Sequence, residues 1–105
     1  MADLNTQIAL YGAKIVEDYA NFSSAHTGDR GFAVEFAEGR NYVKVINTDN
    51  GSHRGVHSFI VKKATKGFVV GDILKAATWS APATNFKRGN VFDLDSVEVR
   101  WTGAI

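Results

Sequence analysis

Apolar side chains recur every three or four positions along the first part of the chain. They are Leu4, Ile8, Tyr11, Ile15, Tyr19 and Phe22. This spacing places them on one stripe of an α-helix. Asp3 or Asn5 can cap the start of this helix by accepting a hydrogen bond from a first-turn amide. We therefore predict an amphipathic helix over about residues 4–23, although Gly12 inside it costs about 1 kcal/mol relative to alanine.

Short β-branched or alternating segments follow, and Gly- or Asn-containing turns separate them. The predicted strands are residues 32–37, 42–47, 55–63, 68–70 and 97–101. Alternation within the third segment places His57 on the same face as Phe59 and Val61. Asn50-Gly51 and Lys66-Gly67 are typical of tight turns, so consecutive strands are expected to pair antiparallel.

Residues 73–90 follow no regular pattern. Ile73 to Ala77 is either one helical turn or the end of a strand, and Pro82 disfavours helix at Ala81. We therefore predict an irregular loop that contains Trp79 and Pro82. The sequence predicts one α+β domain over residues 1–105, in which the N-terminal helix packs on an antiparallel β-sheet of about four to five strands.

Composition narrows the function classes without choosing among them. The chain has 105 residues, of which 45% are hydrophobic and 22% charged, and it has no cysteine. Disulfide scaffolds, cysteine metal sites and thiol catalysis are excluded. No apolar run approaches the ~20 residues of a membrane span, and the N-terminus lacks the pattern of a signal peptide. We expect a protein without membrane association that stays inside the cell.

The charges are distributed unevenly, although the net charge is only +1. Residues 51–91 carry seven Lys or Arg against one Asp, a balance of +6, while residues 1–50 carry −3 and residues 92–105 carry −2. A basic block of this kind indicates an anionic partner, and the alternative is a set of solvated faces that differ in sign.

Aromatic residues lie among these cations, a combination that binds single-stranded nucleic acid through phosphate contacts and base stacking. Trp79 is the preferred stacking residue because its loop is irregular and lies close to Lys75 in sequence, although this Trp can equally anchor the loop on the core. The predicted nucleic-acid-binding residues are Arg54, His57, Lys62, Lys75, Trp79, Lys87 and Arg88.

Signals of catalysis are weak. His53 and His57 are four residues apart, but they lie in a predicted turn and strand instead of on a helix. Asp93 and Asp95 form either an acidic edge or a Mg²⁺ site. A metal-assisted hydrolase using His57 with one of these carboxylates is the enzymatic alternative. We expect a non-enzymatic protein with no cofactor and no metal.

Motifs between residues 42 and 90 resemble a family of small uncharacterised proteins of tailed bacteriophages. They are Tyr-Val-Lys-Val-Ile at 42–46, Arg-Gly-Val-His-Ser-Phe at 54–59, Gly-Asp-Ile-Leu-Lys at 71–75, Trp-Ser-Ala-Pro-Ala at 79–83 and Arg-Gly-Asn at 88–90. Ala76 and Ser80 depart from the family pattern, which has proline and lysine there. The resemblance implies a phage or phage-like origin and a location in the host cytoplasm, but it implies no activity.

A protein-interaction module is the second function class. A host-factor inhibitor, an anti-defence protein or a virion accessory subunit can act through an exposed strand edge or an apolar patch. The alternating segment from Val97 to Trp101 is a candidate edge, and it can also support a homo-oligomer.

Overall fold

The N-terminal helix is present and is longer than predicted. The computed structural model describes residues 3–26, 32–49, 52–85, 87–97, 99–100 and 103–104, and helix α1 spans Leu4–His26. Asp3 Oδ1 accepts a hydrogen bond from the Thr6 amide (2.7 Å), so Asp3 is the residue that caps the helix. Within the described residues, no helix is long and apolar enough to cross a membrane.

A four-stranded antiparallel sheet follows, with its strands in chain order. The strands are β1 (Phe32–Glu38), β2 (Tyr42–Asp49), β3 (Ser52–Val61) and β4 (Ile73–Lys75). A 3₁₀ helix at Val91–Ser96 leads to a two-stranded ribbon of β5 (Val99–Arg100) and β6 (Gly103–Ala104). The α+β class and the helix-on-sheet arrangement are confirmed.

One predicted strand before β4 is wrong, and one ambiguous segment is resolved. Residues 68–70 are not a strand, because Thr65 and Phe68 form only an isolated bridge around a turn at Lys66 and Gly67. Both turn residues have positive φ (52° and 85°), as a two-residue hairpin turn requires. The fourth strand is Ile73–Lys75, which decides between the two interpretations of that segment.

The C-terminal segment also differs from its prediction. Val97 ends the 3₁₀ helix by donating its amide to Leu94 O (3.2 Å), and the strand begins only at Val99. Trp101 and the Asn50-Gly51 turn lie outside the described residues.

The stripe of α1 packs on one face of the sheet. Ile8, Tyr11, Ile15 and Tyr19 are buried there against Val43, Val45, Ile60 and Ile73, and Leu4 packs at the margin. The Phe22 side chain lies outside the described set. A Cβ at Gly12 would lie 2.6 Å from the tip of the Phe36 ring. Glycine at this helical position therefore lets the Phe36 ring, which projects from β1, approach the helix backbone.

A second apolar cluster covers the opposite face of the sheet. Phe59, Val61 and Leu74 are buried there, with Tyr42, Val56, Phe68 and Ala76 packed around them. Strand β3 is therefore covered on both faces at its end, which accounts for the three consecutive apolar residues Phe59, Ile60 and Val61.

A β-bulge in β3 changes the direction of His57. Val45 pairs with Ser58 and Ile46 pairs with Val56, which leaves His57 as the extra residue. His57 and Ser58 both contact Tyr11 of α1 as a result. The predicted alternation, which placed His57 with Phe59 and Val61, is wrong at this position because it assumed a regular strand.

Candidate functional site

A compact loop after β4 holds Trp79 at the surface. Ala76 and Pro82 form an isolated bridge that closes the loop, and the amides of Ala77 and Thr78 donate to Ala81 O (3.0 and 3.1 Å). The Thr78 hydroxyl accepts bonds from the amides of Ser80 and Ala81 (3.2 and 3.0 Å). The loop is thus held by hydrogen bonds among its own residues, and Trp79 remains 48% exposed.

Trp79 lies over the sheet face opposite α1. The Lys44 ammonium lies 4.8 Å from the centre of the indole ring, within the range of a cation–π interaction. Lys44 is paired with Phe59 in the β2–β3 register, and directly opposed residues project to the same face. The cation beside Trp79 therefore comes from β2, whereas the sequence suggested Lys75.

A groove of about 400 Å³ adjoins this contact. We call it the basic groove, and its lining residues are Ala37, Glu38, Gly39, Arg40, Asn41, Tyr42, Lys44, Phe59 and Ser80. The buried Phe59 ring contributes to its lining and meets Tyr42 edge-on, with 6.1 Å between ring centres. The groove combines an aromatic lining with positively charged side chains.

The basic groove gathers cations from distant parts of the chain. The amides of Lys62 and Lys63 donate to Asn41 O (2.8 and 3.3 Å), which brings the end of β3 beside the β1–β2 turn. Lys62 also donates to Gly39 O (3.2 Å) and forms an ion pair with Glu38. Arg40 and Lys44, from the acidic first half of the chain, therefore share this region with Lys62 and Lys63 from the basic block. The four positive charges outweigh the negative charge of Glu38.

Only part of the predicted binding set lies at this groove. Lys62 adjoins it, and Trp79 is next to its lining residue Ser80. Lys75 is exposed, but it pairs with Ser58, whose side chain faces α1, so the register assigns Lys75 to the other face. The Arg54 side chain lies outside the described residues.

The remaining predicted residues have structural contacts. His57 is only 2% exposed, so the prediction that it binds a ligand at the surface is corrected. Lys87 Nζ lies 3.7 Å from the buried carboxylate of Asp72. Arg88 is half-buried, and its amide donates to Ile73 O (2.7 Å), which attaches this segment to β4.

Tyr11, Ser58 and His57 form a buried polar cluster beneath α1. Ser58 Oγ lies 2.8 Å from both the Tyr11 hydroxyl and His57 Nδ1, and the hydroxyl lies 3.4 Å from the same ring nitrogen. Burial raises the pKa of Tyr11 because the phenolate would lose its hydration, while the Ser58 bond opposes this effect. Ser58 is fully buried, so this serine–histidine contact cannot meet a substrate in this conformation.

The side chains considered for the enzymatic alternative have different hydrogen-bond partners in the described part of the chain. His57 contacts Tyr11 and Ser58, whereas Asp93 Oδ2 accepts a hydrogen bond from Ser96 Oγ (2.7 Å) on the 3₁₀ helix. No group of three His, Asp or Glu side chains with the geometry of a metal site occurs among these residues.

Sequence analysis missed Arg40, Tyr42 and Lys44 as members of a site. The signal was present, because alternation in the Tyr42–Ile46 strand places Tyr42 and Lys44 on one face beside the Gly39-Arg40 turn. Arg40 and Lys44 lie in the half of the chain with a negative charge balance, whereas the predicted binding set came from the basic block at residues 51–91.

The fold and the site define a small helix-on-sheet protein with a basic, aromatic-lined groove. Residues 2–104 match the profile of DUF7717, a family of unknown function, so the chain belongs to that family. Comparison with curated proteins gives no match, and comparison with solved structures gives none either.

Proposed function

We propose that this protein is a non-enzymatic binding protein that takes single-stranded nucleic acid at the basic groove and the Trp79 loop. The observation that carries the proposal is the exposed Trp79 indole held beside Lys44 at a groove bordered by Arg40 and Lys62. Both components of single-strand binding, an aromatic surface and a set of cations, therefore occur together.

The chemistry favours unpaired bases over a duplex. A base that stacks on an exposed aromatic ring contributes about 1–3 kcal/mol, and it must be free of its own stacking partners to do so. Arg40, Lys44 and Lys63 supply charge for the phosphates next to such a base. Lys62 contributes less, because Glu38 already neutralises part of its charge.

The biological setting in this proposal rests on the resemblance of residues 42–90 to tailed-bacteriophage proteins. It consists of an accessory role in a phage and a location in the host cytoplasm. The groove geometry is independent of that setting, so the binding experiment below tests only the molecular function.

Fluorescence anisotropy with labelled oligonucleotides tests the proposal directly. We expect a single strand to bind more tightly than the matching duplex, and the affinity to fall as salt rises because phosphate contacts release counterions. If about three phosphates are neutralised, the logarithm of the binding constant falls against the logarithm of salt with a slope of about −2. Absence of single-strand binding at low salt and micromolar protein would overturn the proposal.

Two matched substitutions separate the groove from general electrostatics. Lys44→Gln and Lys75→Gln each remove one cation, but only Lys44 lies beside Trp79. We expect the Lys44 variant to bind several-fold more weakly and the Lys75 variant to bind almost as the parent does. Trp79→Ala should weaken binding at least about 5-fold through lost stacking. Equal effects of the two lysine substitutions would show that the cations act only through net charge.

An apolar patch beside the turn at Gly71 favours the alternative function, a protein-interaction module. Val69, Val70 and Phe92 are 56%, 39% and 46% exposed, and the Phe92 ring lies against Gly71. A host or phage protein retained by the parent chain, but not by Val69→Asp, would support this alternative. Retention of that protein by both would show that the patch is not its binding surface.

A further inference from the structure

We propose that two copies of this chain pair antiparallel through the outer edge of β1, so that their sheets join into one. This inference does not depend on the proposed nucleic-acid function. It rests on the edge of β1 that pairs with no other described strand, on the direction of its backbone groups and on the apolar side chains beside it.

The two edges of the sheet differ. At the β4 edge, Ile73 O accepts from the Arg88 amide (2.7 Å) and the Ile73 amide donates to Gly89 O (2.8 Å). Lys75 O likewise accepts from the Ala83 amide (2.7 Å), so β4 is covered along its whole length. Strand β1 pairs with β2 alone in the described part of the chain.

The register shows which backbone groups of β1 face outward. The Gly39 amide donates to Tyr42 O (2.9 Å), and the β1–β2 register continues that pairing without a bulge. Backbone groups alternate in direction along a strand. The amide and carbonyl groups of Val34, Phe36 and Glu38 therefore point away from β2, and they form a template for another strand.

Natural edge strands are protected from pairing by charged side chains (especially Lys), Pro, a bulge, shortness, or a covering helix or loop. Strand β1 has seven residues, Phe-Ala-Val-Glu-Phe-Ala-Glu, with no Lys and no Pro. Its pairing with β2 is regular throughout, so no bulge twists this edge away. Within β1, the carboxylates of Glu35 and Glu38 oppose association, and their positions restrict the register of a partner.

Apolar side chains accompany the open edge on the face that α1 covers. Phe36 is 42% exposed and its ring approaches Gly12 of α1, while Val16, one helical turn further along, is 37% exposed. A hollow of about 240 Å³ lined by Ile8, Ala9 and Phe36 continues this surface. An approaching strand would thus meet hydrogen-bonding groups and apolar area together.

Charge excludes one register for a second copy, and the proposed register is centred on Phe36. Antiparallel pairing centred on Glu35 places two carboxylates directly opposite each other, which is destabilising. Pairing centred on Phe36 places the two Phe36 rings opposite each other, Glu35 opposite Ala37, and Val34 opposite Glu38. Each outward-facing pair then exchanges two hydrogen bonds. A two-fold axis perpendicular to the sheet keeps both α1 helices on the same face.

The expected dimer is weak. Stable interfaces bury at least about 1,200 Å² in total, and one short strand with two or three apolar side chains per copy gives an area near or below this value. We therefore expect a dissociation constant of about 10–100 µM, which makes the equilibrium measurable at ordinary concentrations.

Sedimentation velocity on the full chain from about 1 µM to about 500 µM tests the proposal. We expect the parent chain to shift from monomer to dimer across this range. Phe36→Lys places two ammonium groups opposite each other and should raise the dissociation constant at least about 10-fold. Thr84→Lys, which places the same ammonium group in the exposed loop after β4, should leave it unchanged.

Amide hydrogen exchange of the unsubstituted chain gives a second readout that does not depend on any variant folding. The Val34 and Phe36 amides should exchange more slowly at high than at low concentration, whereas the exposed Ser80 amide of the Trp79 loop should not change. A monomer at every concentration would overturn the proposal. Two other results would also overturn the proposal, because each would place the interface elsewhere. One is a dimer in which exchange of these two amides does not depend on concentration, and the other is a dimer that persists in the Phe36→Lys variant.

Discussion

At the residue scale, the Tyr11 hydroxyl illustrates how a polar group is accommodated in the core. Tyr11 is fully buried, and its hydroxyl lies 2.8 Å from Ser58 Oγ. A buried hydroxyl without such a partner would be destabilising by about 1–3 kcal/mol. The bulge at His57 directs Ser58 and His57 toward α1, so the same backbone irregularity supplies this partner.

Tyr11→Phe should change how stability depends on alkaline pH. In the unfolded chain the phenol ionises near 10.0, whereas burial raises the pKa of Tyr11 in the folded protein. The folded state then holds its proton more tightly, so the stabilisation is complete below about pH 10 and is lost as pH rises above it. Urea unfolding from about pH 7 to about pH 11 should show the parent about 1 kcal/mol more stable at neutral pH, with this advantage shrinking above pH 10. An advantage that stays constant across this range would contradict the assignment.

Gly71→Ala should be strongly destabilising. Gly71 has φ of 94°, and a Cβ there would lie 2.7 Å from Asn90 Oδ1 and 2.8 Å from the Phe92 ring. Gly67 has a similar φ of 85°, but no atom lies within 4 Å of the corresponding Cβ position. We expect Gly67→Ala to lower the free energy of unfolding by about 1 kcal/mol and Gly71→Ala by at least about 2 kcal/mol, measured by urea denaturation. Equal losses would show that the close contacts at Gly71 relax without cost.

At this scale, the sequence predicted which kinds of residue form the site better than it predicted which residues lie next to one another. It preferred Trp79 as the stacking residue and left open whether this ring is exposed or anchors the loop on the core. It chose Lys75 as the nearby cation because the two are close in the sequence. The ladder shows why this choice failed, since Lys75 pairs with Ser58 and Lys44 pairs with Phe59. Contacts between strands depend on register, which local sequence does not contain.

At the element scale, the helix was predictable because its period is a local property. The stripe from Ile8 to Tyr19 is buried as expected, and Asp3 caps the first turn. Strand β3 was harder to predict, since a bulge depends on the pairing of two strands. The short strand β4 was ambiguous because three residues are too few to show a period. It is a strand because β3 and the segment at residues 88–89 pair on its two sides.

The Asp72 carboxylate links the turn before β4 to Asn90 at the start of the 3₁₀ helix, and its substitution should weaken this junction. Its carboxylate accepts hydrogen bonds from the Val69 amide and from Asn90 Nδ2, both at 2.9 Å, and it is only 2% exposed. Asp72→Asn replaces one carboxylate oxygen, a hydrogen-bond acceptor, with an NH₂ group that faces either the Val69 amide or the Asn90 amide, both of which are donors. We therefore expect the free energy of unfolding to fall by about 1–3 kcal/mol.

Lys87→Gln is the control for this prediction. It removes the ammonium 3.7 Å from the Asp72 carboxylate, but that side chain is 58% exposed, so we expect a loss of less than about 1 kcal/mol. Chemical denaturation of both variants provides the comparison. Similar losses would mean that the ion pair, and not the hydrogen bonds, stabilises this junction.

At the scale of the whole molecule, folding rearranges the charge pattern seen in the sequence. The basic block does not form a single positive surface, because Lys62 pairs with Glu38, Lys87 lies near Asp72 and Lys75 is assigned to the helix face. The turn between β1 and β2 instead brings Arg40 to the end of β3. The charge balance along the sequence therefore suggested an anionic partner but gave no binding position. The position proposed for it depends on the sheet topology, which brings cations from separate segments together.

The whole molecule should also unfold as one unit, because α1 and β3 share a single apolar cluster. Ile15 is fully buried between them, so Ile15→Ala should lower the free energy of unfolding by about 2–5 kcal/mol. The neighbouring Val16 is 37% exposed, and Val16→Ala should cost less than about 1 kcal/mol. Loss of helical circular dichroism and loss of protection of the β3 amides should coincide in denaturant, since a small single domain unfolds cooperatively. Helix loss at a lower denaturant concentration than sheet loss would mean that the sheet keeps its structure without α1, and that the second apolar cluster around Phe59 suffices to hold it together.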